Sequence, residues 1–386
     1  MKIKEISTWH LLTPPRRKSP PRRAAWSAQA EVANPMSRYP RYKRNRQSWL
    51  PKWHNLWVKV VADDGTWGLG STSYDRPVAA VVNDHLAPML VGEESTAIEK
   101  LWDMMFRLTK PYGTSGLASC AISAVDLALW DLAGKLRNRP VYELLGGPAR
   151  DRILTYATGN DTDWQLELGF RAVKLACTYG PTDGLAGLKE NERLVAKTRQ
   201  LVGDQVEIML DCYMAFDVEY TIRLAQKLRP YNLRWIEEYL IPEDIDGYKA
   251  VRQAVNWVSL ASGEHLCTRW PYRQLIEKQC LDVLQPDIHW VGGLSECVKI
   301  CHMAESAGLI VCLHGGGNDP YGQHLSYAMP NTPWAEYFIA SPPGVPLDEV
   351  KQVPGTSVPS DGTLRPSEEP GFGLGIEEEW LIPFDR

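Results

Sequence analysis

The chain has 386 residues, of which 44% are hydrophobic and 23% are charged, and its formal net charge is -5. This composition is ordinary for a globular protein, and the length favours one large domain together with a smaller one. The slight negative charge gives no overall attraction to nucleic acid, and because no apolar run reaches 18 residues we expect no membrane partner.

The sequence has neither the pattern of a signal peptide nor a cysteine motif. The N-terminal stretch "MKIKEISTWHLL" has no apolar run long enough for a signal peptide, and the eight cysteines include no C-x-x-C pair. We therefore expect buried free thiols, no zinc or disulfide framework, and a cytoplasmic protein.

The first elements in chain order are two strands, at 1–12 and 55–63, with a tight turn at 63–68. Between the strands lies a segment rich in proline, lysine and arginine, residues 14–54, which we call the flap. Such a basic loop could bind RNA, but no nucleic-acid-binding fold motif accompanies it, so we expect a lid over an acidic substrate. The stretch "CAISAVDLALWDLAGKL" (120–136) predicts a helix that ends at "NRP".

After residue 150 the sequence becomes regular. Short apolar runs rich in strand-forming residues alternate with amphipathic stretches, which predicts parallel strands joined by helices, as in a TIM-type barrel. Eight such runs are present: 152–158, 171–177, 206–212, 233–239, 258–265, 281–287, 309–315 and 334–339.

Acidic residues lie at or near the ends of the third, fourth and fifth of these strands. They are Asp211, Glu237 and Glu264, each about one strand–helix unit after the previous one. In a parallel barrel the C-terminal strand ends meet on one face, where active sites are built. Three neighbouring carboxylates repel each other, and a hard divalent cation relieves this, so the pattern predicts a Mg²⁺ site. The alternative, that each acid caps a helix or forms an ion pair, is reasonable for any one of them but less so for all three.

The next two strands end in Asp287 and His314. A carboxylate bound to one imidazole nitrogen fixes the tautomer and makes the other nitrogen more basic, which predicts a general base. Lys174, on the second strand, is expected to point to the same face and to hold an anionic group of the substrate.

Apart from Lys174, these residues lie within motifs that resemble the enolase superfamily, mandelate racemase subgroup. The motifs are "SAVDLALWDLAGKLRNRPVYELLGG" (123–147), "MLDCYMAFDV" (209–218), "WIEEYL" (235–240), "SGEH" (262–265), "QPDIHWVGG" (285–293) and "HGGG" (314–317). The resemblance implies an α/β fold, a modified TIM barrel of the (β/α)7β type with an α+β capping domain. We expect the cap at 1–125, the barrel at 126–340, and a C-terminal tail, 341–386, that returns to the cap.

Within the superfamily the chain is most similar to rhamnonate dehydratases, through phrases such as "ANPMSRYPRYKRNRQSW" (33–49) and "PYNLRWIEEYLIP" (230–242). That family removes the C2 proton of an acid sugar chelated to Mg²⁺, eliminates the 3-hydroxyl and yields a 2-keto-3-deoxy acid. The resemblance implies the following roles: Mg²⁺ ligands Asp211, Glu237 and Glu264; base His314 supported by Asp287; Glu336 as a hydrogen-bond partner of the substrate carboxylate; and substrate contacts from Lys174, Arg46, His265 and His289. It also implies a homo-oligomer, from dimer to octamer.

Two departures from this family concern the far end of the substrate. The stretch "RRAAWSAQAE" of the flap lacks the histidine that the family places there, and His289 stands where the family has a small residue. The natural substrate could therefore be another aldonic acid, such as lyxonate, mannonate or gulonate. A catalytically inactive member also stays open.

Three other enzyme readings are weaker. Racemases of the superfamily carry Lys-x-Lys on the second strand, whereas this chain has Lys174-Leu175-Ala176. The "HGGG" motif also occurs in α/β-hydrolases, but no G-x-S-x-G accompanies it. The "GFGLG" stretch lacks the strand–turn–helix context of a dinucleotide site.

Overall fold

The computed structural model of the chain describes residues 1–15, 19–28, 31–44, 46–350 and 352–384, apart from the side chain of Arg46. In chain order, its strands are β1 (Ile3–Leu11), β2 (Leu56–Ala62), β3 (Trp67–Thr72), β4 (Ile153–Thr158), β5 (Ala172–Ala176), β6 (Glu207–Asp211), β7 (Trp235–Glu237), β8 (Ser259–Ser262), β9 (Val283–Leu284), β10 (Ile310–Val311), β11 (Trp334–Phe338), β12 (Thr363–Leu364) and β13 (Leu381–Pro383). The α-helices are α1 (Asp75–Val81), α2 (Ala87–Leu90), α3 (Ile98–Leu108), α4 (Leu117–Arg137), α5 (Val141–Leu144), α6 (Thr162–Glu167), α7 (Gly184–Val202), α8 (Val218–Leu228), α9 (Ile245–Ala254), α10 (Arg269–Glu277), α11 (Gly293–Ser306) and α12 (Pro320–Ala328).

Strands β4 to β11 form a parallel sheet in the order β10-β9-β8-β7-β6-β5-β4-β11. Helices α6 to α12 connect successive strands, and no α-helix in the described chain follows β11. This is the (β/α)7β barrel expected from the sequence, and the predicted fold class is confirmed. Large apolar side chains fill the barrel interior, among them Tyr156, Met209 and Trp235. Above this layer lie the C-terminal ends of the strands, and they carry the polar residues. We call this face of the barrel the rim.

The cap is an antiparallel sheet in the order β13-β1-β2-β3, with helices on one face. Strand β13 comes from the C-terminal tail, as expected, while β12 pairs with barrel strand β4. Helix α4 packs so closely on β3 that a Cβ atom on Gly70 would lie 2.0 Å from the carbonyl oxygen of Ala124. The glycines of "GLGST" are therefore needed for this approach.

Helix α4 also packs on barrel helix α11, through Ser295 N and Ser295 Oγ, which donate to the two oxygens of Asp126 at 2.9 and 2.6 Å. The boundary predicted at 125/126 falls inside this helix, so cap and barrel share it. In length and composition α4 could cross a membrane, and it is the one described helix that could. Most of it is buried inside the protein, as expected for a core helix.

Candidate active site

Strand geometry brings the predicted acids together at the rim. Asp211 and Glu237 are the last residues of β6 and β7 and are paired in register. Glu264 follows β8 by two residues, and Glu336 lies within β11. All four side chains are buried or nearly so, and burial raises the pKa of Asp211. Like charges this close are stable only with a compensating cation.

Lys174 supplies part of that compensation. Its side chain is 1% exposed, and its amino group contacts Glu237, with Glu336 Oε1 2.8 Å away and Asp211 Oδ2 3.7 Å away. Burial alone lowers the pKa of Lys174, but the carboxylates, Glu237 first, outweigh burial and hold it well above its usual value. Burial alone would raise the pKa of Glu336, but the positive charges of Lys174 and His314 outweigh burial and lower this pKa to about 2. Lys174 therefore forms ion pairs inside the rim.

His314 and Asp287 form the predicted dyad. His314 Nδ1 lies 2.7 Å from Asp287 Oδ2, and Nε2 lies 3.6 Å from Glu264 Oε2. Burial lowers the pKa of His314, but Glu264 and the hydrogen bond to Asp287 outweigh it, so the pKa is well above its usual value. Without a bound cation the ring is therefore protonated, with Nδ1 fixed by Asp287 and Nε2 directed to the carboxylate cluster. Positive charge bound at that cluster would offset Glu264, lower the pKa of His314 and free Nε2 to act as a general base.

A second carboxylate–imidazole group lies beside this dyad. Ligand atoms of Glu238, Glu264 and His265 all lie within 4.8 Å of one another, with His265 Nδ1 2.5 Å from Glu238 Oε1. Sequence reasoning missed Glu238, because alternate residues of a strand face opposite sides and Glu237 already faces inward. A left-handed backbone, φ 48°, turns Glu238 back toward the rim. The second glutamate of "WIEEYL" was the available signal.

The rim has the donor set of a divalent metal site. Asp211, Glu237, Glu238, Glu264 and Glu336 bring five carboxylates against one ammonium and two imidazoles. Moreover, Glu238 Oε2 is buried and has no hydrogen-bond partner among the described residues. Surplus carboxylate oxygens of this kind fit Mg²⁺. In this structure the predicted trio does not converge as closely as Glu238, Glu264 and His265, because Glu237 turns to Lys174, Trp235 Nε1 and Gln285 Nε2.

Trp290, which the sequence did not single out, packs against both imidazoles. Its ring centroid lies 5.2 Å from that of His314 and 5.5 Å from that of His265. Its Nε1 donates to Ser73 Oγ of the cap at 3.2 Å. The cap thus reaches the site through the residues after β3. There Tyr74 adopts a left-handed φ of 67°, and its ring packs edge-on against Trp53 of the flap.

One predicted substrate contact, His289, is placed differently. His289 directs both ring nitrogens to protein acceptors, Asp319 and Ser71, so its ring has no free N–H for a substrate. Arg46 begins a 3-10 turn, Arg46–Ser48, but its side chain lies outside the described part of the structure. The roles of the remaining residues stay predictions.

The described part of the flap lies on the loops that follow β4 and β5. Arg23 pairs with Asp161 and with Asp163, and Asp161 also accepts a hydrogen bond from Trp26 N at 2.8 Å. Further along, Lys43 and Arg44 both pair with Asp183. Ion pairs of this kind hold the flap against the rim.

Known proteins are similar to this chain over most of its length. Residues 52–146 match the family "Mandelate racemase / muconate lactonizing enzyme, N-terminal domain", and residues 162–380 match "Enolase C-terminal domain-like". An L-rhamnonate dehydratase from Saccharopolyspora erythraea is 42% identical over 368 residues, covering 92% of each chain. The crystal structure of rhamnonate dehydratase from Gibberella zeae complexed with Mg is 33% identical with a TM-score of 0.90, covering 99% of this chain and 96% of that one. A racemase from Streptomyces coelicolor A3(2) with bound magnesium is more distant, at 26% identity and a TM-score of 0.78, covering 98% of both chains.

Proposed function

The chain belongs to the mandelate racemase / muconate lactonizing enzyme family of the enolase superfamily, and we propose that it is a Mg²⁺-dependent hydro-lyase acting on an acid sugar of the L-rhamnonate type. The observation that carries the proposal is the position of the His314–Asp287 dyad next to Glu264 of the carboxylate cluster. An acid sugar held by its carboxylate at the cluster would present C2 to this imidazole.

Asp211, Glu237 and Glu264 are the residues that we propose to hold Mg²⁺, with Glu238 as a further carboxylate within reach of Glu264. When bound, the cation supplies positive charge that offsets the negative charge developing on the substrate carboxylate. Its binding would also relieve the repulsion among the buried acids, which Lys174 offsets only in part.

The remaining chemistry belongs to side chains of this protein. His314 Nε2 accepts the C2 proton, and Asp287 stabilises the resulting imidazolium through Nδ1. The same Nε2–H then donates its proton to the 3-hydroxyl as the C3–O bond breaks, so that one molecule of water leaves. The enol that remains tautomerises to the 2-keto-3-deoxy acid. Two carboxylates share a hydrogen bond only if one of them carries a proton, so we propose that Glu336 takes up a proton when the substrate carboxylate binds beside it and donates a hydrogen bond to that carboxylate. We also propose that His265, which packs against Trp290, contacts the substrate.

Lys174 supports dehydration over racemisation. A racemase needs a second base on the other face of C2, and this chain has Ala176 where the second lysine of Lys-x-Lys would stand. Lys174 itself is buried and bonded to Glu237 and Glu336, so it keeps its proton and cannot serve as that base. One base suits a syn elimination.

We further propose that the enzyme works in the cytoplasm as a homo-oligomer. The eight cysteines are free thiols and seven are buried, which suits a reducing compartment. Light scattering of the purified protein measures the assembly directly, and a monomer would contradict this part of the proposal.

A panel of aldonic acids tests the proposed reaction. We expect formation of a 2-keto-3-deoxy acid from L-rhamnonate or from an acid with the same C2 and C3 configuration, and none after Mg²⁺ is removed by a chelator. Turnover restricted to acids of the opposite C2 configuration would overturn the substrate assignment. If no acid reacts, calorimetry with Mg²⁺ separates an inactive family member, which need not bind the ion, from an enzyme with an untested substrate.

A further inference from the structure

His289 lies immediately behind the catalytic dyad. Its backbone N–H donates to Asp287 Oδ1 at 2.7 Å, and the other oxygen, Asp287 Oδ2, is the partner of His314 Nδ1 at 2.7 Å. The two carboxylate oxygens of Asp287 are therefore fixed from two sides. Asp287 therefore links the backbone of His289 to the His314 ring through two hydrogen bonds.

The side chain of His289 is held at both ring nitrogens. Nδ1 lies 2.8 Å from the carbonyl oxygen of Ser71, and Nε2 lies 2.9 Å from Asp319 Oδ2. Ser71 Oγ lies farther from Nδ1, at 3.5 Å. A carbonyl oxygen and an ionised carboxylate only accept hydrogen bonds, so the two short contacts are made when both nitrogens carry protons and the ring is an imidazolium. Burial alone would lower the pKa of His289, but Asp319 outweighs burial and raises it to about 9.

This imidazolium connects three elements of the fold. Asp319 is the N-cap of α12, where its Oδ1 accepts from Gly322 N at 3.0 Å, and α12 follows the loop that carries His314. Ser71 belongs to cap strand β3, and the next residue, Thr72, donates through Oγ1 to the backbone oxygen of His289 at 2.7 Å. The loop after β9, the loop after β10 and the cap thus meet at one buried ring.

We propose that His289 and Asp319 are positioning residues, whose ion pair holds Asp287 and His314 in their catalytic geometry and docks the cap strand onto them. Neither contacts the substrate in this assignment. The proposal rests on the proposed function in one respect, that the dyad is the base. A positioning role suits this place because a displacement of about 1 Å at a general base can cost roughly 100-fold in rate.

Substitution of Asp319 tests the proposal, with Asp244 as a matched control. Asp244 is the N-cap of α9 and accepts from Gly247 N at 2.9 Å, so Asp319→Ala and Asp244→Ala remove the same kind of cap. Only Asp319→Ala also removes the partner of His289. We expect Asp319→Ala to lower kcat roughly 10- to 100-fold, with KM changed less than about 3-fold and one Mg²⁺ still bound per chain by calorimetry. Asp244→Ala should keep kcat within about 2-fold of the wild-type value.

Two more variants separate positioning from simple loss of structure. Asp319→Asn keeps the cap and can still hydrogen-bond His289, so it should recover part of the lost kcat, and it serves if Asp319→Ala fails to fold. His289→Asn should lower kcat as much as Asp319→Ala does. The double variant should have a kcat no lower than that of the less active single variant, because the pair acts as a unit. The proposal would be overturned if the two single-variant losses in kcat multiply in the double variant. It would also be overturned if Asp319→Ala and Asp244→Ala lose kcat equally when activity is normalised to the chains that bind Mg²⁺.

Nitrogen NMR of the imidazole rings keeps this test independent of turnover. In the wild-type protein both nitrogens of His289 should carry protons, and the signal of the His314 Nδ1–H bonded to Asp287 should shift or broaden in Asp319→Ala. An unchanged His314 signal would refute the positioning role even if the enzyme is active. Conversely, a wild-type protein that is inactive on every aldonic acid but shows this shift would refute the proposed function alone.

Discussion

His314 is the residue on which the proposed chemistry depends, and it differs from an exposed imidazole in having two carboxylate neighbours. Asp287 fixes its Nδ1, and Glu264 lies near its Nε2. An asparagine at this position could still donate a hydrogen bond to Asp287 but could not accept a proton from carbon.

We expect His314→Asn to bind Mg²⁺ and substrate with affinities close to those of the wild-type protein and to lose at least about 1000-fold in exchange of the C2 proton with deuterium. Exchange is followed by NMR of the substrate in heavy water. His302→Asn is the control, since His302 lies on an exposed part of α11. Undiminished exchange in His314→Asn would remove His314 as the base.

His289 makes a contribution to stability that depends on pH. Its folded pKa is about 9, above an unfolded value near 6.5, so the contribution is complete below about pH 6.5 and is lost as the pH rises through about 9. The ring faces the carboxylates of Asp319 and Asp287 and the edge of Tyr321, whose pKa is held well above its usual value by burial. Tyr321 therefore stays neutral over this range.

We expect the difference in free energy of unfolding between the wild-type protein and His289→Asn to be largest near pH 6 and to shrink by about 3 kcal/mol by about pH 10. Chemical denaturation at a series of pH values measures it, and comparison with the variant cancels groups common to both proteins, such as His265. A difference that is constant with pH would mean that His289 is not charged in the folded protein.

At the scale of elements, the apolar runs predicted the strands well because a parallel barrel buries both faces of each strand. The helix at 120–136 and the strand at 152–158 were placed within a few residues of α4 and β4. Strands β9 and β10 have ladders of only two residues, although each was predicted as a run of seven residues, 281–287 and 309–315. The rest of each run leaves the ladder to form the loop that carries Asp287 or His314.

Site residues were predictable from the sequence where their position follows from the end of a strand. They were not predictable where their position depends on contacts between distant parts of the chain. Asp211 and Glu237 follow from their strands, because parallel neighbours end on one side. Glu238 did not, since its left-handed φ breaks the alternation of side chains. The partners of His289 could not be found either, because Asp319 and Ser71 are 30 and 218 residues away in the chain. Such pairs become visible only after the fold has placed cap and barrel together.

The flap is an element whose attachment can be varied separately from the chemistry. Asp183 accepts from Lys43 and Arg44, and these partly exposed ion pairs contribute at most about 1 kcal/mol each. We expect Asp183→Asn to raise KM roughly 3- to 10-fold with little change in kcat, and to speed trypsin cleavage within the flap. Asp246→Asn is the control, because it breaks an exposed ion pair with Lys278 on the outside of the barrel. Unchanged KM and cleavage would show that the flap does not depend on these contacts.

For the whole molecule, the surplus of buried carboxylates links metal binding to stability. An ion that binds the folded chain stabilises it by about 2.7 kcal/mol at a concentration 100 times its Kd. We expect the midpoint of thermal unfolding to rise with added Mg²⁺ and to fall on chelation, as measured by calorimetry. Glu264→Gln should lose most of this response, whereas Glu305→Gln, on the exposed end of α11, should keep it. An equal response in both variants would place the ion elsewhere.

Helix α4 has a consequence for turnover. It is packed at once against the cap sheet and against barrel helix α11, so the cap cannot swing away from the barrel without exposing the interior of both. Admission of the sugar and departure of its product therefore fall to the basic flap. We expect the maximal turnover rate to be limited by how fast the flap detaches from the barrel. The measured kcat should therefore fall as the viscosity of the solvent is raised.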